Sequence, residues 1–140
     1  MNNPQTQPNM HLLKGVQILL VEDCPDQVRI YLQFLQQAGA EVTLECQGQS
    51  AVEHINSTPS QIDAIVMDFK MPEMDGLTAT EELRKIGFSG AIIAITAHTS
   101  CDLREAWHIA GCNAYLEKPL KKQVLIETIQ QSLMIGEESV

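Results

Sequence analysis

Between Ile62 and Gly76 the chain reads I-D-A-I-V-M-D-F-K-M-P-E-M-D-G. Ala64-Ile65-Val66-Met67 is an unbroken apolar run that stops at a carboxylate, Asp68. A loop with Pro72 follows, and Asp75-Gly76 opens a helical pattern. A short apolar run without alternation reads as a strand buried on both faces. Open α/β sheets place their chemistry at the carboxyl ends of such strands. Asp68 therefore reads as a nucleophile, and the other polar strand ends read as its helpers.

The same layout recurs on either side. Gln17-Ile18-Leu19-Leu20-Val21 ends at Glu22-Asp23, Ala91-Ile92-Ile93-Ala94-Ile95 ends at Thr96, and Ala114-Tyr115-Leu116 ends at Glu117-Lys118-Pro119. Val42, Leu44 and Cys46 alternate with polar residues, which predicts a half-buried strand at a sheet edge. Helical periodicity lies between these runs. Pro25 opens a helix with Val28, Tyr31, Leu32 and Leu35, closed by Gly39. Ser50-x-x-Glu53 predicts a capping box for a helix carrying Ala51, Val52 and Ile55, ended by Ser57-Thr58-Pro59. A helix from Asp75 or Gly76 carries Leu77, Leu83 and Ile86 and stops at Gly87. Thr99-x-x-Asp102 predicts the cap of a helix with Leu103, Ala106, Trp107 and Ala110, closed by Gly111. A last helix takes Leu125, Ile129 and Leu133, with Gly136 after it. Strand–helix alternation of this kind predicts a doubly wound parallel sheet with helices on both faces.

The chain has 140 residues, enough for one core, with 44% hydrophobic residues and a formal charge of −9. That acidity argues against nucleic acid or an anionic membrane as the main partner. No apolar run is long enough to span a bilayer, and the N-terminus lacks a signal-peptide core. Cys24, Cys46, Cys101 and Cys112 form no metal-binding spacing and read as reduced thiols in a cytoplasmic protein. Residues 1–14 are expected to form a flexible tail, 15–135 the folded domain and 136–140 a C-terminal tail.

Glu22, Asp23 and Asp68 brought together would repel one another and raise each other's pKa. A hard cation such as Mg²⁺ removes that cost. Lys118 adds a fixed positive charge and Thr96 a hydroxyl. Carboxylate nucleophile, metal, amine and hydroxyl form a set suited to phosphoryl transfer onto Asp68. Each residue has a blander reading. Asp68 could cap its loop, Glu22-Asp23 could favour a helix start, Lys118 could be solvated, and Trp107 is more often packing than recognition.

The motifs together resemble the receiver domain of two-component response regulators, over roughly Gly15 to Ile135. They are Glu22-Asp23 after the first strand, Asp68 in M-D-F-K-M-P-E-M-D-G after the third, Thr96-Ala97 after the fourth, and Tyr115 and Lys118-Pro119 on the fifth. The resemblance, not the pattern, implies the flavodoxin-like strand order 2-1-3-4-5, the order of the family's chemotaxis member. It implies that Asp68 is the phosphoacceptor, taking a phosphoryl group from a sensor histidine kinase or a histidine phosphotransfer protein. It implies Mg²⁺, or Mn²⁺ in its place, on Glu22, Asp23, Asp68 and the Lys70 backbone carbonyl. Thr96 and Lys118 would hold the phosphoryl group, and Thr96 and Tyr115 would form the switch pair. Lys70 and His98 would modulate phosphate lifetime, and Lys118-Pro119 would be a cis peptide. A downstream protein would read the face made by the fourth helix, fifth strand and fifth helix.

No DNA-binding output domain is expected after the last helix. The chain reads as a phosphorylation-controlled signalling domain that handles only its own phosphoryl group, not as an enzyme. Two alternatives stand beside it. A haloacid-dehalogenase-type phosphatase also uses an aspartate nucleophile, but it needs an acid two residues on, where this chain has Lys70. A degenerate, interaction-only receiver would not need the complete acceptor set.

Overall fold

The computed structural model describes residues 12–97 and 100–138. Five strands, β1 (Gln17–Val21), β2 (Glu41–Glu45), β3 (Ala64–Asp68), β4 (Ala91–Thr96) and β5 (Ala114–Glu117), alternate with five helices. The helices are α1 (Pro25–Gln37), α2 (Gly48–Ser57), α3 (Gly76–Lys85), α4 (Cys101–Ala110) and α5 (Lys122–Glu138). The strands form one parallel sheet in the order β2-β1-β3-β4-β5.

Continuous apolar runs produce this centre because alternate residues must satisfy opposite faces. Ile18, Leu20, Val66, Ile93 and Ile95 pack on one side with Tyr31 and Leu35 of α1 and Leu125, Ile126 and Ile129 of α5. Leu19, Val21, Ile65, Met67, Ile92 and Ala94 pack on the other with Ala51 and Ile55 of α2, Ala79 and Leu83 of α3 and Trp107 of α4. At roughly 25 cal/mol per Å² of apolar surface, burial of this kind on both faces dominates the folding free energy.

Several local expectations give way. Leu13, assigned by sequence to the tail, is fully buried, and its amide donates to the Ala38 carbonyl at 2.9 Å. Residues 1–11, with His11, lie outside the described residues. β2 is an edge strand, but Leu44 and Cys46 face solvent, and only Val42 of the alternating set joins a core cluster. The Ser50–Glu53 capping box does not form. α2 starts at Gly48 after Gln47, and the Ser50 hydroxyl donates to the Gln47 carbonyl at 3.1 Å. α4 is capped by Ser100, whose hydroxyl accepts from the Leu103 amide at 3.1 Å; Thr99 lies outside the described residues. α5 runs through Gly136 to Glu138. A helical glycine costs only about 1 kcal/mol relative to alanine, which Leu125, Ile126 and Ile129 offset upstream.

Candidate functional site

The strand order reverses beside β1, since β2 and β3 lie on opposite sides of it. Ligands of open α/β sheets bind at that switch point, outside the carboxyl ends. The β1–β3 register pairs Val21 with Met67, so Glu22 and Asp68 emerge side by side. Carboxylate oxygens of Glu22, Asp23 and Asp68 all lie within 4.8 Å of one another. Lys118, just past β5, reaches across: its Nζ lies 2.6 Å from Asp68 Oδ1 and 3.3 Å from Glu22 Oε1. Its backbone amide donates to the Thr96 carbonyl at 2.8 Å, tying the ends of β4 and β5. The Lys118-Pro119 peptide is cis.

These groups line a cleft of about 190 Å³ together with Lys70 and Thr96. Glu22, Asp68 and Thr96 are buried, and Asp23 is exposed. A groove of about 600 Å³ opens at the opposite, amino edge of the sheet, near Lys14, Asp63 and Ser132. Its carboxylate, Asp63, already accepts from the Gln17 amide at 2.8 Å. The smaller cleft is therefore the chemical one, because the charged groups converge there.

Burial pushes the Asp68 carboxyl above its ordinary range, partly opposed by the Lys118 ammonium and aided by Asp23. Glu22 is raised by burial and by the charge of Asp68. Burial alone would lower the Lys118 amine, but its contact with Asp68 turns the shift upward. Two of the three carboxylates thus share one ammonium with Asp23 close beside them, and negative charge exceeds positive in the cluster. An all-oxygen donor set with one carboxylate open to water suits a small, hard divalent cation.

Gln27 is a participant that sequence reading missed. Its side-chain oxygen accepts from Lys118 Nζ at 2.5 Å, orienting the ammonium from α1. Only its place in the first turn after Pro25 could have pointed to it. Glu22 is held in turn, because its Oε2 accepts from the Cys24 amide at 3.2 Å. Tyr115 is half-buried on β5, with the Arg104 guanidinium 5.1 Å from its ring centre. His98 lies outside the described residues.

The fold and cleft define a small doubly wound α/β domain with an acidic, cation-competent site at its switch point. The chain belongs to the response regulator receiver domain family, whose profile matches residues 18–130, and is a receiver domain of the two-component and phosphorelay kind. It is 36% identical over 119 residues to hybrid signal transduction histidine kinase M of Dictyostelium discoideum, covering 81% of this chain and 5% of that protein. It is 30% identical over 156 residues to histidine kinase 1 of Arabidopsis thaliana, covering 86% and 13% respectively. The chain thus spans a small fraction of these curated relatives. The receiver domain of the sensor histidine kinase PA1611 from Pseudomonas aeruginosa, solved with magnesium in its active-site cleft, is 37% identical with a TM-score of 0.78. That match covers 86% of this chain and 98% of the other. A CheY-like receiver domain protein from Methanospirillum hungatei is 25% identical with a TM-score of 0.82, over 89% of this chain and 98% of the other. Among the described residues no helix is long and apolar enough to cross a membrane.

Proposed function

We propose that Asp68 accepts a phosphoryl group from a phosphohistidine, on a sensor histidine kinase or a histidine phosphotransfer protein. The observation that carries this reading is the Lys118 ammonium 2.6 Å from Asp68 in a cleft shared with two further carboxylates. An Asp68 oxygen forms the new O–P bond as the P–N bond breaks; the electron pair stays on the donor's imidazole, whose other ring nitrogen carries a proton, so the ring leaves as neutral imidazole. Lys118 and Thr96 offer an ammonium and a hydroxyl to the phosphoryl oxygens. Glu22, Asp23, Asp68 and the Lys70 carbonyl would hold Mg²⁺, or Mn²⁺ in its place. When bound, the ion supplies the positive charge that the carboxylate cluster and an incoming phosphate both need.

The phosphorylated site would act on a protein partner through the face of α4, β5 and α5, with Thr96 and Tyr115 as its switch pair. Lys70, exposed at the rim, would modulate phosphate lifetime. Nucleic acid and membrane are disfavoured as partners by the formal charge of −9. The domain works in the cytoplasm and turns over no substrate beyond its own phosphoryl group. The pull on Asp68 comes from Lys118, with Lys70 in the place where a haloacid-dehalogenase-type phosphatase needs an acid.

The test is incubation with Mg²⁺ and acetyl phosphate, read by intact-mass spectrometry. One added phosphoryl group is expected in the native chain and none in Asp68→Asn. Equal labelling of both proteins would overturn the assignment. Sustained hydrolysis of simple phosphate esters would favour the phosphatase reading.

A further inference from the structure

Trp107 is the chain's sole tryptophan and is fully buried on α4. Its indole Nε1 is the one buried side-chain polar atom without a hydrogen-bond partner among the described residues. Buried N–H groups are nearly always paired, so an exception calls for a reason. The position of the ring supplies one. It meets the Phe69 ring in a T-shaped contact, at a centroid distance of 5.9 Å and an interplanar angle of 69°. Phe69 directly follows Asp68. On the other side, a Cβ built on Gly76 would fall 2.9 Å from Trp107 Cη2 and would overlap the Asp68 carbonyl oxygen.

The loop from Phe69 to Gly76 is therefore gripped at both ends against one indole. Backbone bonds close the grip. The Phe69 amide donates to the Ile95 carbonyl at 3.0 Å, and the Gly76 amide donates to the Phe69 carbonyl at 2.8 Å. The helix that carries Trp107 is lightly held, since Trp107 and Ala110 are its buried residues and Ile109 stands 76% exposed. Few buried side chains place an element toward the low-stability end of a fold, and Leu103 adds only a partly buried contact.

We propose that Trp107 couples the loop after Asp68 to α4, its ring carrying displacement of the phosphoacceptor strand end into the helix while its unpaired N–H leaves the resting packing the less tightly held of two arrangements. This rests on Asp68 as the phosphoacceptor and adds a contact route distinct from Thr96 and Tyr115. Trp107 is a positioning residue, because it touches neither the carboxylates nor Lys118. Coupling of this sort requires an element with two discrete arrangements that both sites bias, and the proposal gives that role to α4.

The experiment compares the full chain with Trp107→Phe, which keeps an aromatic ring and removes the N–H, and with Phe69→Leu, which removes the facing ring. Each is treated with Mg²⁺ and acetyl phosphate. Intact mass reports phosphorylation, and hydrogen exchange over residues 101–110 reports α4. All three proteins are expected to take one phosphoryl group. In the native chain phosphorylation changes α4 exchange and shifts Trp107 fluorescence. In both variants the phosphorylation-dependent exchange difference falls about threefold or more. A merely structural role would alter baseline exchange equally in both states and leave the difference intact, which would overturn the proposal. The native fluorescence arm stands even if a variant fails to fold; a native chain that is phosphorylated without any α4 or fluorescence response overturns it too. A native chain that takes no phosphoryl group instead defeats the acceptor assignment, and this proposal with it.

Discussion

Replacing Lys118 with alanine removes the only cation within ion-pair distance of Asp68 and Glu22 among the described residues. The Asp68 and Glu22 side chains are 3% and 1% exposed, so water replaces the ammonium only in part. Removing one partner of a buried pair costs about 3–5 kcal/mol. The Lys118 side chain is 15% exposed and the cleft opens to solvent at Asp23, which places the loss near the lower limit, about 3 kcal/mol. That is a large share of the roughly 5–15 kcal/mol that holds a domain together.

The loss carries a pH signature. Asp68 and Glu22 already sit above their ordinary values of 3.8 and 4.5 because of burial, and losing the ammonium raises them further. A raised carboxyl costs nothing below its unfolded value, and the cost grows as pH climbs from there through the folded value. The gap between native and variant should therefore be wider at about pH 7 than at about pH 4. The Lys118 amine is raised, so its own contribution is complete below its ordinary 10.5 and fades as pH passes through the higher folded value. The variant should lack that alkaline loss. A divalent cation should stabilise the variant more than the native chain, because it need not compete with the ammonium; at about 100 times its Kd an ion contributes about 2.7 kcal/mol. Urea unfolding at both pH values, with and without Mg²⁺, measures all of this. A loss below about 1 kcal/mol, or one independent of pH, would refute the shared-charge picture.

Other outcomes follow from the same structure. Gly76→Ala places a methyl group against the Asp68 carbonyl and 2.9 Å from Trp107, so a loss of about 3 kcal/mol is expected. That should appear as a melting temperature lower by roughly 10 °C; an unchanged melt would contradict it. Arg84 donates to the carbonyls of Phe88, Gly90 and Gly111 and to Asn113 Oδ1, so Arg84→Ala should cost about 3 kcal/mol in denaturant. Arg84→Lys should recover less than half of it, because an ammonium cannot span the fork; full recovery would show that charge alone matters. The Cys112 thiol is pushed up to about 11 by burial, while Cys46 and Cys101 are exposed. At mildly alkaline pH, alkylation of Cys112 should be on the order of 100-fold slower than of Cys46; equal rates would show that the site opens readily.

The strands were legible because apolar runs ending at Asp23, Asp68, Thr96 and Lys118 state both burial and direction. Their convergence needed strand order, which periodicity does not contain and the family resemblance supplied. Gln27 was hidden because an amide carries no charge or spacing signal, although it orients Lys118. Arg84 was hidden because its partners are mostly backbone carbonyls, contributed by the two connections on either side of β4 and α4. Leu13 looked like tail because a single apolar residue has no period, yet its amide bond to Ala38 and its burial seat it against α1. Ser50 satisfied a capping pattern two residues inside the helix, since the pattern cannot tell a true first turn from the next register. Helical spacing marks Trp107 as packing, which holds for its ring and is silent about its unpaired N–H.

The most direct measurement is the chemical position of the phosphoryl group. After treatment with Mg²⁺ and acetyl phosphate, borohydride reduces an aspartyl phosphate to homoserine, and peptide mass spectrometry locates the change. Homoserine at position 68 alone, requiring Lys118 for full yield, is the expected result. Homoserine at Asp23, or a phosphoryl group on a serine or threonine with Asp68 unaltered, would contradict it.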